Sequence, residues 1–201
     1  MSSRDDILST IRMRRSAGLP RPPRYAARLV ADDLSVRFAE RAMAEAAEVR
    51  FLDRLDEVPA AVAHILRARN LAAPIHLPPD VRMDVWSWDT GIIRERTLPE
   101  PDDAALAIAP FAIAETGTLV YSSSASAPAS WHFRPGLEIA VVAAANILPR
   151  FEDVLTRMKN NGALATTINL VTGPSRTGDI EQTLELGAHG PKALSILVVK
   201  S

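Results

Sequence analysis

The alternation of short apolar segments with helical segments in the second half of the chain is the feature that most constrains its fold. Four apolar runs have the length of buried strands: 118–122, 137–143, 166–171 and 193–199. A helix is predicted over 149–159, and a short helix is predicted to begin at Asp179. Such alternation favours parallel strands joined by right-handed crossovers, with helices covering the sheet. The prediction is an α/β fold, a three-layer sandwich, in which ligands bind beyond the carboxyl ends of the strands.

The first half is predicted to be mostly helical. Ile7, Leu8 and Ile11 form the apolar stripe of a short helix that ends near Gly18 and would dock on a neighbour. The proline-rich residues 19–24 cannot continue a helix and are predicted to be a linker. The alanine-rich residues 32–51 predict a long helix.

A second helix and several short strands are predicted to follow. Residues 58–69 form the helix, with Pro59 tolerated in its first turn. The strand candidates are short and apolar: 74–77, 81–88, 104–109 and 111–114. We predict one domain over residues 1–201, composed of a helix and linker (1–24), a helical part (25–70) and an α/β core that carries the motifs (71–201).

Composition and charge exclude several classes of function. The chain has 201 residues, of which 47% are hydrophobic, and 23 basic against 24 acidic side chains give 23 − 24 = −1. A chain with no excess of positive charge is not drawn to phosphate backbones, so we predict no nucleic-acid partner. No run approaches the roughly 20 apolar residues that cross a bilayer. We predict no membrane insertion and a cytoplasmic location.

The absence of cysteine restricts the chemistry further. The chain contains no cysteine, which removes disulfides, thiolate zinc sites, cysteine nucleophiles and cysteine-ligated iron–sulfur clusters. No two histidines have the spacing of a metal site, so we predict no metal. A redox centre would have to lie in another chain or in a bound cofactor.

The first candidate motif is a turn between two apolar strands, Glu115-Thr116-Gly117-Thr118. A carboxylate at a buried strand end is costly unless it is hydrogen-bonded or functional. Glu115 is therefore a candidate general base or nucleophile, with the next three residues as ligand contacts. The alternative is that Thr116-Gly117 is simply a turn and that Glu115 caps a nearby backbone group.

The second motif has the composition of an anion-binding loop, and its candidate ligand contacts are Gly173, Pro174, Ser175, Arg176, Thr177, Asp179 and Glu181. The segment is predicted to lead from a strand into a helix. Glycines let the backbone approach a ligand, hydroxyls and helix N-terminal amides donate hydrogen bonds, and Arg176 can hold a carboxylate or phosphate. The alternative is ordinary helix capping by Asp179, and both can hold at once. No Lys-Ser/Thr follows the glycines, which disfavours a nucleoside triphosphate.

The third motif is a turn before the last strand, and it contains His189, Gly190 and Pro191. A histidine in such a turn is a candidate acid, base or hydrogen-bond donor, although a lone loop histidine is more often a surface residue. His189 is the second candidate catalytic residue, and Gly190 is a further ligand contact.

Three runs together resemble the lactate utilisation protein C family, also called the LUD domain. They are FAIAETGTLV (111–120), LEIAVVAAANILPRFEDVL (137–155) and TGPSRTGDIEQTLELGAHGP (172–191). The resemblance extends over essentially the whole chain, and it matches all three motifs. Two segments depart from many relatives: 122–126 is serine-rich where glycine is usual, and 130–134 is bulkier than the usual leucine-rich stretch.

The resemblance implies a fold similar to that of glucosamine-phosphate isomerase, ribose-phosphate isomerase and CoA-transferases. It also implies a role in oxidising L-lactate to pyruvate together with two iron–sulfur partner proteins, which would carry the clusters that this chain lacks. We expect no cofactor in this chain and a small anionic ligand, either a 2-hydroxy acid or a phosphate-bearing molecule.

Two alternatives remain open. One is a stand-alone enzyme of the isomerase or CoA-transferase type, in which Glu115 acts on an acyl or phosphorylated substrate. The other is a non-catalytic scaffold that docks through the helix containing Ile7, Leu8 and Ile11.

Overall fold

The computed structural model describes residues 3–14, 33–71, 74–162, 165–178, 184–186 and 190–200. Its helices are α1 (Ser3–Met13), α2 (Leu34–Ala44), α3 (Val58–Ala68) and α4 (Phe151–Asn160). Its strands are β1 (Glu48–Leu52), β2 (Ile75–His76), β3 (Arg94–Glu95), β4 (Ala104–Ile108), β5 (Phe111–Ile113), β6 (Thr118–Ser122), β7 (Leu137–Ala143), β8 (Ile147–Leu148), β9 (Ile168–Val171), β10 (Arg176–Gly178), β11 (Leu184–Leu186) and β12 (Ala193–Val199). The chain divides into two compact units, residues 1–30 and 31–201.

The larger sheet has six parallel strands in the order β1-β12-β7-β4-β2-β3. Its central strands β7 and β12 read LEIAVVA and ALSILVV, and nearly every side chain in them is buried. Strands that are covered on both faces have such continuous apolar runs. Helix α3 packs on this sheet, with Val62 of the helix in the same core as Leu106 and Ile139. The predicted α/β fold with a parallel sheet is confirmed.

The smaller sheet has four strands in the order β8-β5-β6-β9 and is mixed. Strands β5 and β6 are antiparallel, and so are β6 and β9. The predicted parallel pairing is therefore wrong for β6 and β9. For the neighbouring pair β5 and β6, the connection of four residues permits only an antiparallel hairpin, because parallel neighbours need a crossover of a dozen or more residues. Helix α4 covers this sheet with the buried side chains of Val154 and Met158.

Helix α2 begins as the sequence predicts but ends earlier. The Asp33 side chain caps it by accepting hydrogen bonds from the amides of Ser35 (2.8 Å) and Val36 (3.3 Å). The helix ends at Ala44, Ala46 has a φ of 65°, and residues 48–52 pair with β12 as strand β1. The predicted helix to residue 51 is wrong, because pairing with an apolar central strand overrides the helix propensity of the alanine-rich segment.

Two further segments differ from prediction. Residues 81–88, a strand candidate, contain a 3₁₀ turn at Val81–Met83. Residues 176–178 and 184–186 pair as the antiparallel strands β10 and β11. The short helix predicted to begin at Asp179 stays a prediction, because residues 179–183 lie outside the described residues. Helix α3 and strands β6, β7 and β12 agree closely with prediction, and the division of the chain at residues 24 and 70 stays a prediction.

Candidate functional site

The first motif forms the turn between β5 and β6. The amide of Glu115 donates to the carbonyl of Pro149 at 3.1 Å, and the amide of Gly117 donates to the carbonyl of Ile113 at 3.0 Å. Glu115 is partly exposed, whereas the sequence predicted a carboxylate at a buried strand end. The motif thus lies in a turn of the smaller sheet, between β5 and β6.

The glycines of the first two motifs pack against helix α2. Gly117 has a φ of +70° and Gly173 a φ of +75°, a region that other residues rarely adopt. A Cβ on Gly117 would overlap the backbone at Ala42, and a Cβ on Gly173 would overlap the carbonyl of Glu45. Packing against the end of α2 therefore accounts for glycine at both positions without a ligand.

A chain of hydroxyl groups joins the first motif to the second. The Oγ1 atoms of Thr116 and Thr118 lie 2.6 Å apart, and those of Thr118 and Thr172 lie 2.7 Å apart. Thr118 is buried, so it needs these partners. The Thr118 side chain thus links the two turns, and its predicted ligand contact stays a prediction.

The second and third motifs meet at a cleft of about 190 Å³, which we call the motif cleft. The amide of Ser175 donates to the carbonyl of Pro191 at 2.8 Å and so brings the two segments together. The residues that line the motif cleft are His132, Phe133, Leu170, Val171, Thr172, Gly173, Pro174, Ser175, Gly190 and Pro191. Four predicted ligand contacts, in the loop 173–175 and at Gly190, thus share one cavity.

Other predicted site residues fall elsewhere. Arg176 is exposed at the start of β10, directly after the cleft-lining Ser175. Thr177 is in the same strand. Glu115 is not among the described residues that line the motif cleft. Asp179, Glu181 and His189 lie outside the described residues, so their predicted roles stay predictions.

The motif cleft includes a buried histidine that the sequence analysis did not select. His132 is 2% exposed, and its Nδ1 lies 3.0 Å from Oε1 of Glu138, which is fully buried in β7. The ring of His132 also stacks on that of Tyr121, with centroids 3.6 Å apart. A lone acid inside the apolar run LEIAVVA was the available sequence signal, because buried carboxylates need a partner.

Tyr121, which stacks on His132, lies in strand β6 of the smaller sheet. Burial raises the pKa of the Tyr121 phenol well above its ordinary value, and the negative charge of nearby Glu138 adds to the rise. The phenol interacts with the Glu138 carboxyl, which also raises this pKa, but it makes no hydrogen bond of normal geometry with the described residues. Tyr121 also lines a second cleft of about 390 Å³, together with the serine-rich residues 122–124. Both segments that depart from many relatives thus lie beside the stacked pair.

Several buried polar atoms around this stack lack partners among the described residues. They are the Tyr121 hydroxyl, Trp131 Nε1, His132 Nε2, Glu138 Oε2 and Asn169 Nδ2. Asn169 lies directly opposite Tyr121 in the pairing of β6 with β9. Most buried polar groups in folded proteins are hydrogen-bonded, so each exception requires an explanation such as water, a ligand or a catalytic role. We call these five residues the polar cluster.

A second buried histidine shows the contrasting arrangement. In His76, Nδ1 lies 2.9 Å from the carbonyl oxygen of Thr97, and Nε2 lies 3.1 Å from Oδ2 of Asp103. Both ring nitrogens therefore have protein partners, as expected of a structural histidine. His132, in contrast, has a partner among the described residues on Nδ1 alone.

The chain forms an α/β domain that contains one parallel sheet and one mixed sheet. The same fold is found in the crystal structure of a DUF162 family protein from Deinococcus radiodurans, with a TM-score of 0.62 and 20% sequence identity over 83% of this chain and 96% of that chain. The chain belongs to the LUD domain family, whose match covers residues 36–199.

Relatives named lactate utilization protein C are similar to this chain over part of their length. The Bacillus subtilis protein is 36% identical over 120 residues, which are 57% of this chain and 50% of that protein. The Bacillus velezensis protein is 33% identical over 126 residues, which are 60% of this chain and 52% of that protein. The chain thus spans about half the length of these relatives. Among the described residues, no helix combines the length and apolar character that crossing a bilayer requires.

Proposed function

We propose that this chain is a component of a lactate utilisation system that carries no redox centre of its own and binds a small anionic ligand in the motif cleft. Membership of the LUD domain family and similarity to proteins named lactate utilization protein C support the proposal. The ligand class is a 2-hydroxy acid or the corresponding 2-oxo acid, with L-lactate and pyruvate as first candidates.

The observation that carries the proposal is the convergence of two separate motifs on one small cleft. Thr172 and Ser175 contribute hydroxyl groups, and Gly173 lines the same cleft. Arg176 directly follows the cleft lining and is exposed, and in this proposal it supplies the cation for a bound carboxylate. A volume of about 190 Å³ suits a compact acid better than a coenzyme, since drug-sized ligands occupy roughly 300–1,000 Å³.

The proposed partners are iron–sulfur proteins. Oxidation of L-lactate to pyruvate releases two electrons and two protons, so the electrons need an acceptor. Because the chain contains no cysteine, a cysteine-ligated cluster that accepts them would be carried by another protein. The chain would bind or present the acid, and its partners would carry the electrons.

A thermal-shift screen of the purified protein tests ligand binding. A ligand at a hundred times its Kd should stabilise the fold by about 2.7 kcal/mol and raise Tm by a few degrees. We expect this shift with L-lactate, pyruvate or glycolate, and we expect Arg176→Ala to reduce it while the exposed Arg157→Ala leaves it unchanged. A shift only with CoA esters or sugar phosphates would contradict the proposal and favour an enzyme of the isomerase or CoA-transferase type.

Affinity purification from the native host tests the proposed partners. We expect the tagged chain to co-purify with iron-containing proteins, detected by iron analysis and by their visible absorbance. A tagged chain that recovers no iron-containing protein, even after mild cross-linking, would contradict this part of the proposal.

A further inference from the structure

The polar cluster has more unpartnered donors than acceptors. Trp131 Nε1 and Asn169 Nδ2 can only donate, the Tyr121 hydroxyl can donate, and Glu138 Oε2 is the acceptor among atoms that lack a described partner. Three members of the cluster are joined by direct contacts, because Tyr121 stacks on His132 and His132 bonds to Glu138.

The contacts of His132 leave one ring nitrogen without a described partner. Nδ1 lies 3.0 Å from Oε1 of Glu138, whereas Nε2 has no partner among the described residues. An imidazole nitrogen that carries a hydrogen can donate it to an acceptor oxygen.

The position of His132 connects this donor to the motif cleft. His132 is one of the cleft-lining residues although only 2% of it is exposed. One edge of the ring is held by Glu138, and one face is covered by Tyr121. Of the two ring nitrogens, Nε2 is the buried one to which no described residue bonds.

We propose that His132, held by Glu138 and Tyr121, is a specificity-determining residue that donates a hydrogen bond from Nε2 to the 2-hydroxyl or 2-oxo oxygen of an acid bound in the motif cleft. The inference rests on the proposed function and deepens it. A site built to bond a substrate oxygen discriminates against the analogue that lacks it, because its buried donor is then left unpaired. His132 would thus separate L-lactate and pyruvate from propionate, which shares their carboxylate.

The test compares L-lactate, pyruvate and propionate by isothermal titration. In the wild-type protein we expect L-lactate or pyruvate to bind at least about tenfold more tightly than propionate, in keeping with a hydrogen bond from a buried donor. The test variant is His132→Phe/Glu138→Leu, which retains a ring against Tyr121 without leaving an unpaired carboxylate. It should bind the three acids with similar affinity. His64→Gln, in the exposed face of α3, is the matched control and should retain the wild-type ratio.

Nitrogen NMR of ¹⁵N-histidine in the wild-type protein gives a readout that does not depend on a folded variant. We expect His132 Nε2 to be protonated in the free protein and its resonance to move when L-lactate or pyruvate is added. An unprotonated Nε2, or a resonance that none of the acids moves, would overturn the inference.

The outcomes separate the inference from the proposed function. If L-lactate binds with the same preference over propionate in wild type and double variant, the role of His132 is wrong and the proposed function stands. If the wild-type protein binds none of the three acids, both are wrong. An Nε2 that bonds only to a buried water would appear as a protonated nitrogen insensitive to every acid, and it would overturn the inference alone.

Discussion

The turns of the first two motifs contrast with the polar cluster. They differ in whether their groups have packing and hydrogen-bond partners within the described part of the protein. In the turns, Gly117 and Gly173 face the backbone of α2, and Thr118 finds two hydroxyl partners. In the polar cluster, His132 and Tyr121 are buried with atoms that no described residue satisfies. A conspicuous motif can thus be required by packing, while inconspicuous buried groups can lack a partner among the described residues.

The largest expected effect is on the buried ion pair. His132→Ala leaves Glu138 buried without its partner and should lower the free energy of unfolding by about 3–5 kcal/mol. His132→Phe/Glu138→Leu removes both groups and should restore stability to within about 1 kcal/mol of wild type. Urea denaturation followed by circular dichroism measures both. Equal losses in the two variants would contradict the expected cost of leaving Glu138 buried without its partner.

The next effect tests whether the motif glycines serve packing. Gly117→Ala combines a left-handed backbone with overlap on α2 and should cost about 3 kcal/mol. Gly162→Ala is the matched control, since Gly162 has a φ of +64° but no atom within 4 Å of its Cβ position. It should cost only about 1 kcal/mol. Urea denaturation midpoints measure the loss of stability in each variant. Equal losses at the two glycines would contradict the explanation that Gly117 is required by packing.

A smaller effect on stability is expected when a hydroxyl with hydrogen-bond partners is compared with one that has no described partner. Thr118→Val breaks two hydrogen bonds and should cost about 1–2 kcal/mol. Tyr121→Phe removes a buried hydroxyl that has no described partner, so it should leave the ligand-free protein unchanged or more stable by up to about 1 kcal/mol. A clear loss on Tyr121→Phe without ligand would mean that its hydroxyl is already bonded.

The smallest effect appears only in alkali. Because the folded-state pKa of Tyr121 is raised, its contribution to stability is complete below the unfolded pKa of about 10 and is lost as the pH rises towards the folded value. The wild-type protein should therefore lose up to about 1.4 kcal/mol per pH unit more than Tyr121→Phe above pH 10. Parallel denaturation curves at pH 9 and above would show this. Identical pH profiles would contradict the raised pKa.

Much of the fold could be predicted because strands and helices have strong local patterns. The bounds of β6, β7 and β12 follow from apolar runs of strand length, and α3 follows from its helical periodicity. Strand β1 could not be separated from the preceding alanine-rich helix, since only pairing with β12 distinguishes them. The hairpin of β10 and β11 was missed because Asp179 resembles a helix cap.

The site was predictable only in part. Composition selected the loop 173–175 and Gly190, which do share a cleft. It could not select His132, whose partners Glu138 and Tyr121 lie in different sheets and meet only in the folded chain. Flanking apolar strands suggested that Glu115 is buried, but the turn leaves it partly exposed, and its role as a base or nucleophile stays a prediction.

The most direct measurement of the central claim is a map of amide chemical-shift changes when L-lactate or pyruvate is titrated into the ¹⁵N-labelled protein. If the acid binds in the motif cleft, we expect the largest changes at Gly173, Ser175 and Gly190, with smaller ones at His132 and Phe133. Changes centred on Glu115 and Thr116, with the residues of the motif cleft unaffected, would contradict it.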